Sequence, residues 1–442
     1  MKVTRRAGAA AVVGACLLLA ACGGADTESE TPSLGWPGAH GNSRNTAASA
    51  VTGTRALSPA WWRPLGGTVS SGPSISEDGQ LFVTTTRSAV GCNIMSFLTG
   101  SGRKRMCNNV PFTKPVPDPV LATPLVDGDD NVYVGVGDGT LRSYNKMGQE
   151  RWVMPLLGTP QSAQFTADGN VLVVTHLGEV DVFDRQTGKV AAGPYRLQGE
   201  PDHLAQANMS WPSADKGLDD CFTGKSGCTV AGAPALETAS GRFYLTAWLP
   251  NASAASLVAL RYENGQIEKL WTAPVLSGGS TTSPALSADG MTVYVGDNSG
   301  ELLAVDTESG KTRWTHRLGF TPFGGMSVSG DGTVIPGSLD GKLVALRDRE
   351  DRAEKAWERN DLVQTGVPVQ AAGSTGYTVV KGTDGAPALL TFNIEDGTPI
   401  AQSPYPDEVR GAGPAVGAAV GPHGEVAVAS RSGELVLFAK PR

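Results

Sequence analysis

The chain has 442 residues, 40% of them hydrophobic and 18% charged, with 57 glycines and 29 prolines. The glycines show no three-residue period, which excludes a collagen-like fibre. The 36 basic against 43 acidic residues exclude nucleic acid as the main partner, because phosphate binding wants a surplus of Lys and Arg.

The chain opens MKVTRRAGAAAVVGACLLLAACGG. Lys2, Arg5 and Arg6 precede an apolar run of 15 residues from Ala7 to Ala21. That run is short of the roughly 20 residues that span a bilayer, so residues 1–21 read as a signal for export. Leu19-Ala20-Ala21-Cys22 resembles the lipobox of bacterial lipoproteins. The resemblance implies cleavage before Cys22, acylation of that residue, and anchorage on the extracytoplasmic side of the cell membrane. Residues 22–58 are polar and poor in large apolar side chains, so they read as a lipidated cysteine and a flexible tether. Trp36-Pro37 and Gly41-Asn42 are the residues of that stretch suited to dock on the body, which is placed at 59–442.

Beyond Cys16 and Cys22, four cysteines remain: Cys92, Cys107, Cys221 and Cys228. An even number in an exported chain suggests disulfides, and three connectivities are possible. Residues 92–98 and 103–109 read as a hairpin about Gly100, which sets Cys92 opposite Cys107. The local pairing Cys92–Cys107 and Cys221–Cys228 follows. A metal site is the weaker reading, with no CxxC and no His near either pair.

The body carries a repeated phrase. Its best copy runs from Ser283 through Asp289-Gly290, Thr292-Val293-Tyr294-Val295-Gly296, Gly300 and Leu302-Leu303-Ala304-Val305-Asp306 to Gly310-Lys311 and Trp314. This spells four short strands with tight turns. Copies occur around Val132, Val171, Leu343 and Val436. Trp271 to Trp314 is 43 residues, and so is Trp314 to Trp357. A four-stranded unit of that period is a propeller blade. Residues 200–229 interrupt the period as an insertion. The remaining length predicts an all-β, eight-bladed β-propeller of antiparallel blades, with seven as the alternative. The last unit lacks its fourth strand, and Ala60-Trp61-Trp62-Arg63 looks like that strand, joining the two chain ends and closing the ring.

Leu-x-Ala-x-Asp-x-x-x-Gly-Lys-x-x-Trp, clearest at Leu302–Trp314, resembles the pyrroloquinoline quinone (PQQ) repeat. The resemblance implies that Trp62, Trp152, Trp271, Trp314 and Trp357 each dock one blade on the next. Blades ending near Val110, Leu197 and Pro404 lack the Trp. Two classes use this repeat. Quinoprotein dehydrogenases bind PQQ and calcium at the propeller axis, usually beside a disulfide of adjacent cysteines. The other class is the scaffold lipoprotein of the outer-membrane β-barrel assembly machinery, which does no chemistry. This chain has no Cys-Cys pair and no haem motif, so the second class fits better. The expectation is a monomeric, non-catalytic binding scaffold with no cofactor and no metal. A PQQ-dependent enzyme, or an extracellular sensor of a small solute, is the alternative.

Other polar groups read blandly. Asp127–Asn131 lacks the spacing of a calcium loop and reads as a hairpin turn. Glu179 and Asp181 share one face of a strand, as a glycosidase pair would, but read as a solvated face. There is no HExxH, CxxCH or GxSxG, and His176, His203, His316 and His423 are assigned no role. The insertion is the best functional candidate. It joins one blade's outer strand to the next blade's inner strand, which places it on the top face. Met209, Trp211 and Phe222 offer apolar anchors there, with Arg103 and Arg105 expected on the same face, for an envelope protein or polymer.

Overall fold

The computed structural model describes residues 35–86, 91–110, 122–199 and 217–441. Cys22, Met209 and Trp211 lie outside them. Strand is the dominant regular structure of the described residues, with helix confined to Leu218–Cys221 and two short 3-10 turns. Six sheets have four strands each, and a seventh has nine. The first four-stranded sheet is typical: Ser74–Ile75, Gln80–Thr84, Ile94–Leu98 and Lys104–Asn108 pair antiparallel in chain order. Four more follow at 125–155, 160–196, 235–276 and 285–317. The nine-stranded sheet contains two such meanders, 326–366 and 369–404, joined where Gln364 meets Val380. Its ninth strand, Ala48–Thr52, lies parallel on Val369–Ala372.

The last sheet draws on both ends of the chain. Ala415–Val420, Val426–Ser430 and Glu434–Ala439 are completed by Ser58–Pro64. Trp61 stands opposite Leu437 and Trp62 opposite Val436.

The second strands, and most of the third, have nearly every residue buried, with Thr140–Tyr144 and Ser338–Asp348 the more open exceptions. Val171–Thr175 and Val426–Ser430 are buried at all five positions. A strand covered on both faces reads as a continuous apolar run, which is why VLVV and VAVA lack alternation. Outer strands alternate instead, as in Thr312–Arg317, where Trp314 is the buried residue. One hydrophobic cluster fills each seam. Leu125, Trp152, Phe165 and Val173 join the second and third sheets. A larger cluster joins the 369–404 meander, the last sheet and the first, with Val379, Leu437 and Phe97 among its members.

The tryptophans reach across the seams. The indole N–H donates to a backbone carbonyl in the next meander: Trp152 to Arg185 (3.0 Å), Trp271 to Thr307 (3.0 Å) and Trp357 to Ile394 (2.7 Å). Trp314 donates to Asp348 Oδ1 at 2.8 Å. Three of these rings lie on a turn glycine. A Cβ on Gly188 or Gly310 would sit 2.8 Å from the ring of Trp152 or Trp271, and one on Gly397 would sit 2.5 Å from Trp357. All three glycines have positive φ as well, so both space and backbone call for Gly.

In the last sheet the docking residue is Trp61, not Trp62. Trp61 Nε1 donates to Thr99 O at 2.7 Å, and its ring covers Gly102. Adjacent strand residues face opposite ways, so a one-residue offset moves the side chain to the other seam. In the first sheet Met106 occupies the equivalent position. It rests against Gly148, whose carbonyl accepts from Asn108 Nδ2 at 2.8 Å.

The stretch 22–58 is not a tether throughout. From Trp36 onward it is built into the body, because its backbone completes hydrogen bonds that the innermost strands leave open.

Candidate functional site

The innermost strands begin around a common axis. Gly72, Thr123, Gln161, Gly232, Ser283, Gly324, Val367 and Gly417, one from each meander, line an axial chamber of about 220 Å³. Gly72 and Gly417 meet where the first and last sheets touch. A Cβ on Gly72 would lie 3.2 Å from the Gly417 Cα.

One end of the chamber is crossed by a strap, residues 36–47. Trp36 exchanges two backbone hydrogen bonds with Ile75 (2.7 and 2.8 Å). The carbonyls of Pro37, Ser43, Arg44, Thr46 and Ala47 then accept from Val126, Leu236, Leu286, Val328 and Gln370. The third sheet is reached by a side chain: Gln164 Nε2 donates to Asn45 Oδ1 at 3.2 Å, while Asn45 Nδ2 donates to Ala233 O and Pro284 O, both at 3.0 Å. The strap takes up unusual backbone to do this. His40, Asn45 and Ala47 have φ of 54°, 56° and 47°. Left-handed geometry at non-glycine residues costs of order 1–3 kcal/mol each and persists only where the surroundings enforce it. His40 turns its ring to the chamber, so its accessible edge faces the interior, and burial lowers its pKa to about 4. The imidazole is therefore neutral at physiological pH.

The other end is covered by a cap, the ordered part of the insertion. Its helix Leu218–Cys221 is tied by the Cys221–Cys228 disulfide, with Cα atoms 5.0 Å apart. The Cys92–Cys107 disulfide also forms, at 5.1 Å. Trp248 Nε1 donates to Gly224 O (2.8 Å) and Asn298 Nδ2 to Thr223 O (2.9 Å), holding the cap on the fourth and fifth sheets. Phe222 lies 5.0 Å from Phe323, and the Arg431 guanidinium stacks on it at 3.5 Å.

Of the expected contact residues, Phe222 is therefore at the chamber mouth. Arg103 and Arg105 are not with it. Arg103 follows the turn of a hairpin whose Thr99 N–H donates to Gly79 O, beside Ile75 and the strap. Arg105 meets Met147 Sδ at 3.4 Å. The outer strand starts at the strap end and only later reaches the cap end, so both arginines lie opposite Phe222.

The other polar candidates resolve as structure. Asp127 accepts from the N–H groups of Asp129 and Asn131 and from Tyr133 Oη, closing its turn. His176 Nδ1 accepts from Thr159 N–H. Glu179 and Asp181, expected on a solvated face, are only 5% and 4% exposed, because the third strand is covered on both sides. Glu179 pairs with Arg196 at 2.9 Å. Asp181 Oδ2 has no partner among the described residues, and burial, with Glu179 nearby, raises its pKa to about 7. The folded state thus holds a proton that the unfolded chain releases near pH 4, so stability falls as pH rises from about 4 to about 7. Asp181→Asn is expected to raise the unfolding temperature at pH 8 and to change it little at pH 4, as calorimetry at the two pH values would read. A lower unfolding temperature at pH 8 would contradict this placement.

The four-stranded meanders, the turn-seated tryptophans and the axial chamber define a PQQ-repeat β-propeller similar to BamB. Residues 225–378 match the family model described as outer membrane protein assembly factor BamB. Among solved structures, the quinohemoprotein alcohol dehydrogenase from Comamonas testosteroni superposes with a TM-score of 0.65 at 16% identity, over 92% of this chain and 81% of that one. BamB from Moraxella catarrhalis gives 0.54 at 17% identity, over 87% of this chain and all of that one. The chain belongs to the family of protein Rv3035 of Mycobacterium tuberculosis (strain ATCC 25618 / H37Rv), to which it is 35% identical over 425 residues, covering 95% of this chain and 99% of the relative.

Sequence reasoning picked out Trp36-Pro37 and Gly41-Asn42 as docking on the body, but read the stretch around them as tether and missed the continuous strap and His40. The signal for the strap was Trp36-Pro37 in an otherwise polar stretch. Nothing in the residues around His40 announces its position.

Proposed function

We propose that the protein is an exported, lipid-anchored propeller of eight blades, closed by the Ser58–Pro64 strand, that holds a protein or polymer partner of the cell envelope and carries out no reaction. The make-up of the axial chamber carries this reading. Dehydrogenases of this repeat place PQQ and calcium on the axis. PQQ carries several carboxylates, and calcium takes about 6–8 oxygen ligands, commonly carboxylates. Among the described residues the lining is mainly Gly, Ala, Val, Ser and Thr, with Asp219 and Arg431 as the charged members. One carboxylate does not make a calcium site, and one guanidinium already stacked on Phe222 does not make a polyanion cradle. Cys221 and Cys228 are seven residues apart, so their disulfide is not the adjacent-cysteine kind. These residues do not fit the cofactor. The likeness to BamB supports a scaffold. The cap supports the top face as the contact surface: it is an insertion in the repeat, pinned at several points, with Lys225 and its neighbours turned to solvent.

Two measurements test the proposal together. A photo-crosslinker at Lys225 in the native envelope is expected to trap a discrete partner that the same group at Met291, 54% exposed at the other end, does not trap. The purified chain given PQQ and calcium is expected to show no dye-linked oxidation of alcohols or sugars. Oxidation at enzymatic rates, or identical capture from both positions, would overturn the reading.

A further inference from the structure

The axial chamber is larger than packing requires. Protein interiors leave few voids bigger than a water molecule, and a water needs only about 10–15 Å³ of such space. About 220 Å³ on the axis is room for a solute, though less than the roughly 300–1,000 Å³ of pockets for drug-sized ligands. A body of about a dozen heavy atoms matches it.

The lining sets the chemistry. Hydroxyl and amide groups point to a polar guest: Ser70, Thr123 and Gln161 sit on the wall, and among the described residues Gln161 Nε2 makes a long 3.4 Å contact with Thr159 O. At the strap end His40 adds a ring nitrogen pair, one donor and one acceptor in the neutral form. That ring is held there by a strained backbone, and Gly325 must be glycine to make way for it: a Cβ would lie 2.6 Å from His40 Cε1. Among the described lining residues none at the strap end carries a formal charge to meet an ion, and the strap's Arg44 is spent on Glu237. The two charged lining residues, Asp219 and Arg431, stand at the opposite mouth and carry opposite signs. Burying an unpaired ion against such a floor is far costlier than burying a hydrogen-bonded neutral group.

We infer that the chamber is a binding site for a small uncharged polyol of monosaccharide size, held between the His40 strap and the Phe222 cap. Donor-and-acceptor side chains beside aromatic and small apolar surface suit a ring of hydroxyls with C–H faces. The inference is separate from the scaffold reading, since a scaffold requires no axial ligand.

The test uses the full chain in detergent, titrated with glucose, mannose and myo-inositol, with glucuronate and glucosamine as charged counterparts. Calorimetry and saturation-transfer NMR read binding. A neutral polyol is expected to saturate the protein in the millimolar range or tighter, with charged counterparts about tenfold weaker. Ala418→Leu, which fills the chamber wall, and Gln161→Met, which removes a hydrogen-bonding group while keeping its bulk, are each expected to weaken binding about tenfold or more. Gln161→Met answers the question even where Ala418→Leu fails to fold, as circular dichroism would reveal. No binding of any neutral polyol at about 20 mM, charged counterparts binding equally well, or affinity unchanged in the folded variants would each overturn the inference.

Discussion

A chain lacking Ser58–Pro64 is expected to unfold at a far lower temperature than the intact protein, and over a broader range. The strand pairs with Glu434–Ala439 from Ser58 opposite Ala439 to Pro64 opposite Glu434. Without it, Glu434–Ala439 becomes an unpaired edge, and a sheet edge without a partner invites association with other chains. The seam to the first sheet also loses the Trp61 indole, its hydrogen bond to Thr99 O and its cover over Gly102. Point variants grade the effect. Trp61→Ala removes a half-buried ring and a hydrogen bond and is expected to cost about 2–4 kcal/mol. Trp62→Ala, on the opposite face, should cost about 1–2 kcal/mol, since partial burial alone is lost. Urea unfolding of both variants and calorimetry of the deletion would measure these values. A deletion with an unaltered transition, or Trp62 costing more than Trp61, would remove this strand from its place in the last sheet.

That pair of tryptophans shows what a repeat does and does not disclose. The 43-residue spacing locates the outer strands, and the strand–turn phrases locate the meanders, because turn chemistry and covered apolar runs are local properties. Which of two adjacent aromatics faces the seam is a question of pleat, and a spacing read along the chain is too coarse to answer it. The disulfides were legible because the hairpin about Gly100 places its cysteines by local geometry. Arg103 and Arg105 were misplaced because a strand runs from one end of the axial chamber to the other, and proximity in sequence to a loop at one end says little about the start of the strand. Asp181 looked solvated because acids usually are. The covering sheet on its other side comes from a distant part of the chain. The strap was least visible of all. It acts through backbone carbonyls, which every residue possesses, so polar composition says nothing of whether they are used.

Removing residues 36–47 is expected to have an effect as large as loss of the Ser58–Pro64 strand, by a different route. Trp36 is 2% exposed and lies beneath the strap's own Gly41, so Trp36→Ala alone should cost about 3–5 kcal/mol. Asn45→Ala would strip partners from Ala233 O and Pro284 O at once, and each buried polar group left unpaired costs about 1–3 kcal/mol, while Gln164 Nε2 loses one hydrogen bond and keeps the other, to Pro234 O. The full deletion frees the N–H groups of Ile75, Val126, Leu236, Leu286, Val328 and Gln370 together. Their amide exchange is expected to accelerate even where the global transition survives, while amides of the covered strands, such as Val173 and Val428, keep their protection. His40 adds a dependence on pH. Its folded pKa of about 4 lies below its ordinary 6.5, so the unfolded chain binds the proton first, and the contribution of this group to stability is complete above pH 6.5 and falls toward pH 4, opposite in sign to that of Asp181. His40→Gln should flatten that acid limb in the same exchange measurement. Equal protection of Leu236 and Val328 with and without the strap would mean that the inner strands close the axis unaided, and residues 36–47 would then be cover without structural weight.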